Sequence, residues 1–237
     1  MYTFDSRIRY SEIDKKGALS LPGLINYFQD CSTFQSEDIG LGVEALKKRN
    51  KVWVLSYWQI EINRYPELGE QVKIGTFATA FKGLYGHRNF VLYDEKSQML
   101  ACADSIWAYI DLTKGRPTKP EPEEITPYGM APPLAMEQMG RKIARLEAGH
   151  TYPAFTVQKY HLDTNLHVNN GQYVQMAMNL LSDELVVRRL RVEYKKSAVL
   201  GDTIYPKVGE EENRTVVELC DENGNLYAIV EIRGENG

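Results

Sequence analysis

The stretch YHLDTNLHVNNGQY, residues 160–173, is the most informative part of the sequence. It combines a carboxylate, amide side chains and two imidazoles with little apolar content, and an apolar segment with helical spacing follows directly. We therefore expect a polar loop that leads into a helix, with Asn169 or Asn170 capping the helix start. Such helix starts bind negative charge through their exposed backbone N–H groups and their dipole.

Asp163, Asn165 and His167 occupy alternating positions in this loop. If the loop is locally extended, the three side chains point to the same side and converge. Two other interpretations stay open. Asn and Asp side chains often bond their own backbone in turns. His161, Asp163 and His167 are also possible metal ligands, although no paired Cys/His cluster accompanies them.

The composition is that of an ordinary globular protein, with 43% hydrophobic and 25% charged residues and a net charge of −4. This mild charge does not indicate nucleic acid binding, and no apolar run reaches membrane-spanning length. The start, MYTFDSRIRY, has no apolar signal-peptide core. Cys31, Cys102 and Cys220 are far apart and odd in number, which is typical of reduced thiols. We expect a cytoplasmic protein without a cofactor, a bound metal or a membrane partner.

Alternating and helical patterns divide the chain into elements. The pattern predicts a strand over 5–13 and a helix after Pro22, with Leu24, Phe28 and Cys31 on its apolar face. A short helix is predicted at 43–48. Strands are predicted at 52–62, 71–81, 86–94, 99–111, 185–199, 203–208, 215–221 and 226–233.

The segment 113–133 is rich in proline, which predicts that no strand or helix forms there. With the charged stretch that follows, it indicates a connection between domains. We expect an N-terminal domain over 1–133, a linker over 134–150 and a C-terminal domain over 151–237.

The two halves repeat each other. When Asp14 is set over Asp163, Leu24 falls on Tyr173 and Phe28 on Ala177. Further along, Gly69 matches Gly201 and Asp94 matches Asp221. These matches keep the same order along the chain in both halves. They indicate duplication of one fold, in which a helix lies against a curved antiparallel sheet.

The repeat also separates the two loops chemically. Lys16 stands where the second half has Asn165, and Ala18 where it has His167. An unequal pair of loops predicts a duplicated enzyme that kept its site in the second half only.

Four segments carry a family resemblance: LDTNLHVNNGQYV (162–174), VEYKKSAVLGD (192–202), WVLSYWQIEINRYPELGE (53–70) and SIWAYIDLTKGRP (105–117). With them, nearly the whole chain resembles the acyl-acyl carrier protein thioesterases of plants and bacteria. The resemblance implies an α+β fold of tandem hot-dog type, each half a curved antiparallel sheet wrapped around a central helix. It also implies hydrolysis of acyl-acyl carrier protein (acyl-ACP), which releases a free fatty acid and terminates fatty acid synthesis.

By this resemblance, Asp163, Asn165 and His167 belong to the catalytic network. An imidazole suits proton transfer near neutral pH, the carboxylate can orient it, and the amide can hold the thioester carbonyl or a water. Backbone N–H groups of Asn170 and Gly171 are candidates for stabilising the oxyanion. Water is the expected nucleophile, since the loop contains no Cys or Ser.

The sequence departs from the plant pattern at one point. The plant enzymes carry Glu-Cys where this chain has Ser197-Ala198, so a Cys-His-Asn mechanism cannot operate there. Ser197 can hold a water but is not a strong base. Glu193 lies roughly 13 Å away along an extended strand, too far to substitute directly.

The resemblance also suggests walls for an acyl pocket and a docking patch for the carrier. Leu24, Phe28, Trp53 and Trp58 are the expected walls, in the N-terminal half, and ordinary core residues are the alternative. The expected carrier-binding cluster comprises Arg188, Arg189, Arg191, Lys195 and Lys196. The alternative is a solvated strand edge whose charges prevent pairing with another chain.

Three other functions stay open on the sequence alone: an acyl-CoA thioesterase of the same fold, a hydratase or dehydratase, and a non-catalytic acyl-binding protein. The acyl chain length depends on packing that the sequence does not give. The oligomeric state is also open, with a homodimer as one alternative.

Overall fold

The computed structural model describes residues 1–211 and 213–236. The helices are α1 (Leu21–Asp38), α2 (Val43–Lys48), α3 (Pro122–Ile125) and α4 (Asn170–Met178). The strands are β1 (Tyr2–Arg7), β2 (Lys51–Ile62), β3 (Gln71–Lys82), β4 (Tyr85–Asp94), β5 (Met99–Asp111), β6 (Arg116–Pro117), β7 (His150–Thr151), β8 (Phe155–Thr156), β9 (Leu185–Tyr194), β10 (Thr203–Glu211), β11 (Arg214–Cys220) and β12 (Leu226–Asn236). Short 3-10 turns lie at Tyr10–Glu12, Thr126–Tyr128 and Lys159–His161.

The chain forms two compact units. The first comprises Met1–Ser56 and Ile62–Met139, and the second comprises Tyr57–Glu61 and Gly140–Gly237. In the first, the strands follow the order β1-β3-β4-β5-β2, with β6 on β5, and α1 contacts β1 and β3. In the second, Tyr57–Glu61 pairs with β9, the order continues through β12, β11, β10 and β7, and α4 contacts β11 and β12.

Both units therefore set one main helix against an antiparallel sheet, which confirms the α+β class and the tandem hot-dog fold. Apolar side chains fill the space between helix and sheet. Phe28 of α1 lies 5.3 Å from Phe90 of β4, ring centre to ring centre. Val174 and Ala177 of α4 are fully buried, as is Val230 of β12.

The main helices begin at equivalent points of the repeat. Ser20 caps α1 by accepting a hydrogen bond from the Gly23 N–H at 3.2 Å. Asn169 caps α4 by accepting from the Gly171 N–H at 2.8 Å. Each cap satisfies a backbone donor that the first helical turn leaves open.

Several element predictions are confirmed and others are wrong. The short helix at 43–48 is confirmed, but β1 ends at Arg7 and β9 at Tyr194, earlier than expected. The proline-rich segment 113–133 does contain regular structure, namely β6, α3 and a 3-10 turn. Proline at the first helical position is compatible with a short helix, so a high density of prolines does not exclude one.

The segment 134–150 is built into the units. Leu134 donates its N–H to Asn89 Oδ1 at 2.9 Å in the first unit. Ile143 and Leu146 pack with Val216 and Ile229 in the second unit. The residues expected to form a linker thus contribute core contacts. No helix in the described part of the chain has the length and apolar character to cross a membrane.

Candidate active site

The candidate site is centred on a tight turn from Asp163 to His167. The Asp163 N–H donates to the His167 carbonyl at 2.8 Å, and Leu162 and Val168 form a β-bridge on either side. Inside the turn, Asp163 Oδ1 accepts from the N–H of Asn165 at 2.7 Å and from that of His167 at 3.3 Å. The carboxylate therefore fixes the backbone that carries the amide and the imidazole.

Leu166 closes this turn in an unusual conformation. Its φ is 61°, in the left-handed region that side chains rarely adopt, and its side chain is 71% exposed. A β-carbon in this region costs about 1–2 kcal/mol. The turn is therefore strained at its tip.

The expectation of a locally extended loop is wrong. Alternate side chains share a side only in extended backbone. Here the Asp163 carboxylate folds the chain back, so its Oδ1 points to backbone N–H groups. Asn165 and His167 have exposed side chains that flank Leu166.

The start of α4 lies directly after this turn. Asn169 is the cap, as expected, and Asn170 is the first helical residue. The Gly171 N–H is donated to Asn169 Oδ1, so it is not open to an oxyanion and this expectation is corrected. The Asn170 carbonyl accepts the Tyr194 hydroxyl at 3.0 Å, which ties the helix start to β9.

The segment that carries Ser197 lies beside the turn. Val168 donates its N–H to the Ala198 carbonyl at 2.9 Å, and His167 and Val199 form a β-bridge. Ser197 is exposed at the end of this segment. The structure therefore brings the neighbourhood of Ser197 next to His167.

Tyr173 is a supporting residue that the sequence analysis did not assign. Its hydroxyl accepts the Ala198 N–H at 2.8 Å, and burial raises the pKa of this phenol. The position was visible in the repeat, where Tyr173 replaces the apolar Leu24. A polar group at an otherwise apolar, buried helix position indicates a specific partner.

A second tyrosine stabilises the same segment. The Tyr227 hydroxyl donates to Asp202 Oδ2 at 3.1 Å, and the Val199 N–H donates to the same oxygen at 3.0 Å. Burial and the hydrogen bond to Asp202 raise the pKa of Tyr227 to about 12. Tyr227 therefore stays a neutral donor at physiological pH.

His161 has a structural role. It is buried, and its Nδ1 accepts the Gln158 N–H at 2.9 Å. Burial lowers the pKa of its imidazole. Among the described residues, no group of three or more His, Cys, Asp or Glu side chains has the spacing of a metal site.

The expected acyl-pocket walls lie in different units. Leu24 and Phe28 are buried in the first unit. Trp53 is half-buried there, with its ring centre 4.5 Å from that of Tyr109. Trp58 is fully buried but belongs to the second unit, because Tyr57–Glu61 pairs with β9. Its assignment to the acyl pocket stays a prediction.

The expected basic cluster is not a single exposed patch. Arg191 is only 4% exposed and binds Glu231 at 2.9 Å, so it is wrong as a carrier contact. The alternation of a strand places it on the face opposite to that of its neighbour Arg188. The other members pair with carboxylates: Arg188 with Glu235, Arg189 with Glu61, Lys195 with Glu193 and Lys196 with Asp221.

Two family profiles match this chain. The profile described as acyl-ACP thioesterase N-terminal domain matches residues 1–128, and the C-terminal domain of the same description matches residues 145–234. Among solved structures, an acyl-ACP thioesterase from Bacteroides thetaiotaomicron superposes with a TM-score of 0.90 at 25% identity, covering 98% of this chain and 97% of that one. The 12:0-ACP thioesterase from Umbellularia californica shares the fold, with a TM-score of 0.87 at 18% identity and coverage of 100% and 98%.

Curated relatives include a chloroplastic acyl-[acyl-carrier-protein] hydrolase from Cuphea viscosissima, 26% identical over 244 residues, or 94% of this chain and 59% of the relative. A chloroplastic palmitoyl-acyl carrier protein thioesterase from Gossypium hirsutum is 29% identical over 181 residues, or 70% of this chain and 44% of the relative. The chain thus spans about half the length of the curated relatives it matches.

Proposed function

The chain belongs to the acyl-ACP thioesterase family, and we propose that it hydrolyses acyl-ACP to a free fatty acid and the carrier thiol. One observation carries this proposal. The repeated turn holds an amide and an imidazole, Asn165 and His167, in the second half only, directly before a helix start.

The proposed reaction uses water as the nucleophile. His167 accepts a proton as the water oxygen bonds to the thioester carbon, and the carbon–sulfur bond then breaks. The proton passes to the departing thiolate, which leaves as the thiol of the carrier. Asn165 donates a hydrogen bond to the carbonyl oxygen, and Ser197 holds the water in place.

Negative charge on the carbonyl oxygen needs a donor that is aimed at it. The backbone N–H of Asn170, at the first helical position of α4, is our candidate, aided by the positive end of the helix dipole. Asp163 contributes by holding the turn, since two backbone N–H groups already bind its Oδ1.

We propose that Leu24, Phe28 and Trp53 in the first unit contact the acyl chain. They present buried or half-buried apolar surface, which acyl recognition requires. Conservative changes of size here, such as Phe28→Leu, are the changes that would alter the preferred chain length.

The proposal is tested by measuring fatty acid release from acyl-ACP of several chain lengths, with acyl-CoA in parallel. We expect the double variant Asn165→Ala/His167→Ala to lower kcat/KM by about 10²–10⁴-fold. Lys16→Ala, at the matching position of the first-half turn, is the control and should leave the rate unchanged. No release from any acyl-ACP by the unaltered chain, or full activity in the double variant, would refute the proposal.

A further inference from the structure

Four large apolar side chains are exposed around the Asn165–His167 turn. Tyr160, Leu166, Val199 and Leu200 are 76%, 71%, 42% and 51% exposed. Tyr160 belongs to the 3-10 turn before Asp163, and Val199 pairs with His167 across a β-bridge. We call these four residues the apolar rim.

The first half shows what these positions look like without a site. The matching bridge there joins Ala18 to Glu67. Glu67 is therefore the first-half equivalent of Val199, and Leu68 is the equivalent of Leu200. Ser11 and Gly17 match Tyr160 and Leu166 in the repeat. Three polar or small positions of the first half are therefore large and apolar in the second, and only the leucine is common to both.

Leu166 is the most costly of these replacements. Three other turns in the chain have the same hydrogen bonds around an aspartate, and they place Gly17, Ser97 and Gly224 at the left-handed position. Leucine there combines backbone strain with an exposed apolar side chain, and neither stabilises the isolated chain. An exposed apolar side chain kept at a strained position is a candidate for contact with a partner.

We propose that the apolar rim is the docking surface for the acyl carrier protein. The rim borders the turn that carries Asn165 and His167, so a carrier that delivers its thioester there covers it. Carrier proteins are acidic. The exposed Lys159 directly precedes Tyr160, and the exposed Lys196, which lies 3.7 Å from Asp221, stands three residues before Val199. An apolar patch flanked by cations fits an acidic helix with apolar residues on one face.

Coenzyme A fits this surface less well. Its nucleotide and phosphates would use the lysines, but it offers no broad apolar surface to cover four side chains on three segments. The proposal rests on the proposed function, because it assumes that the thioester arrives on a carrier protein.

The test gives two of the rim positions their first-half residues, with Leu166→Gly and Val199→Glu together. Leu68→Asn, at the exposed first-half leucine that matches Leu200, is the control. We expect KM for acyl-ACP to rise about tenfold or more in the rim variant. Hydrolysis of the small acyl-N-acetylcysteamine thioester should stay close to that of the unaltered chain, and the Tm should not fall, because Leu166→Gly relieves backbone strain. The control should leave both KM for acyl-ACP and the rate on the small thioester unchanged.

A direct binding measurement makes the outcome independent of turnover. Affinity for the carrier without its acyl group, from fluorescence anisotropy, should fall by the same factor in the rim variant. Unchanged carrier affinity would overturn the proposal, as would an equal loss of rate on both substrates, which would mean that the rim supports the catalytic turn. A change of oligomeric state without a change in carrier affinity would show that a second copy covers the rim. If the unaltered chain binds the carrier through the rim but hydrolyses nothing, the proposed function fails and the docking surface stands.

Discussion

The turn at Asp14 and the turn at Asp163 share one backbone and differ in what it carries. Asp14 Oδ1 accepts the N–H groups of Lys16 at 2.8 Å and Ala18 at 3.2 Å, as Asp163 Oδ1 does in the second half at 2.7 and 3.3 Å. The aspartate is therefore explained by the turn, in both halves. The shared aspartate alone therefore does not distinguish a catalytic turn from a structural one.

Two further turns, at Asp94 and Asp221, repeat this geometry between sheet strands. Asp94 Oδ1 accepts from the second and fourth following N–H groups at 2.9 and 2.8 Å, and Asp221 Oδ1 at 2.9 Å from both. The motif is thus a general way in which this chain reverses direction. An Asp in this motif does not by itself indicate catalysis.

A buried pair behind the turn differs between the halves in a matched way. In the second half, the Ala198 N–H donates to the Tyr173 hydroxyl. In the first half, Pro66 has no N–H to donate, and Leu24 has no hydroxyl to accept it. Donor and acceptor are present together or absent together, so neither half leaves a buried group without a partner.

In the part of the chain that the structure describes, each half buries one arginine, and the two are held differently. Arg191 in the second unit binds Glu231, the Tyr57 hydroxyl and the Gly140 carbonyl. Arg88 in the first unit donates to Gln35 and Thr76 and lies over the Tyr128 ring, with no carboxylate partner among the described residues. Burial lowers the pKa of Arg88 to about 10.

The largest expected difference in stability is between variants of these two arginines. Arg191→Met leaves the buried Glu231 carboxylate without one of its two cations, so we expect the free energy of unfolding to fall by about 3–5 kcal/mol. Arg88→Met removes a buried charge and leaves only neutral partners behind, so the loss should be about 1 kcal/mol. Urea denaturation of both variants measures the difference, and equal losses would contradict it.

The pH dependence identifies the cause of the Arg191 effect. Burial alone would raise the pKa of Glu231, but hydrogen bonds from Arg214 and Arg191 outweigh it and lower the pKa. Because its pKa is lower in the folded state than in the unfolded state, the carboxylate stabilises the fold above the unfolded-state pKa. This stabilisation is lost as the pH falls through the folded-state pKa. The loss in free energy of unfolding that Arg191→Met causes should therefore become smaller below about pH 4. A deficit that does not change with pH would indicate lost packing instead.

The sequence predicted the repeat well because both halves need the same turns, caps and helix faces. Asp14 and Asp163 do occupy equivalent turns, and Asn169 does cap α4. The sequence-based prediction failed where the direction of a side chain had to be inferred from residue spacing alone. The spacing of Asp163, Asn165 and His167 suggested convergence in an extended loop, but the Asp163 carboxylate bonds the backbone and folds it. The basic residues of β9 were grouped by proximity, although the alternation of the strand buries Arg191.

A second test asks whether Asp163 does more than hold its turn. Asp163→Asn keeps an oxygen that can accept both backbone N–H groups but removes the negative charge. We expect the rate of acyl-ACP hydrolysis to fall about 10–100-fold if the charge orients His167. The stability should change little, and Asp14→Asn should change neither the stability nor the rate.

The outcome distinguishes a role of Asp163 in holding the turn from a role in orienting His167. Activity that survives Asp163→Asn would make the aspartate a turn residue in both halves, and the catalytic set would shrink to Asn165 and His167. A loss of stability as large as the loss of rate would show that asparagine does not preserve the turn. Asp163→Glu would then be uninformative, because the longer side chain cannot make the same two bonds.

The smallest expected effect concerns the tip of each turn. Asparagine tolerates the left-handed region better than leucine, so Leu166→Asn should raise the free energy of unfolding by about 0.5–1 kcal/mol. Gly17 has a φ of 82° and open space where a Cβ would stand, so Gly17→Asn should change stability by only about a few tenths of a kcal/mol. Urea denaturation of the two variants against the unaltered chain gives both values. A gain at Leu166 alone would mean that the second half keeps a destabilising residue beside Asn165 and His167. No gain would mean that Leu166 costs the fold nothing, and the rim would then have to be judged on carrier binding alone.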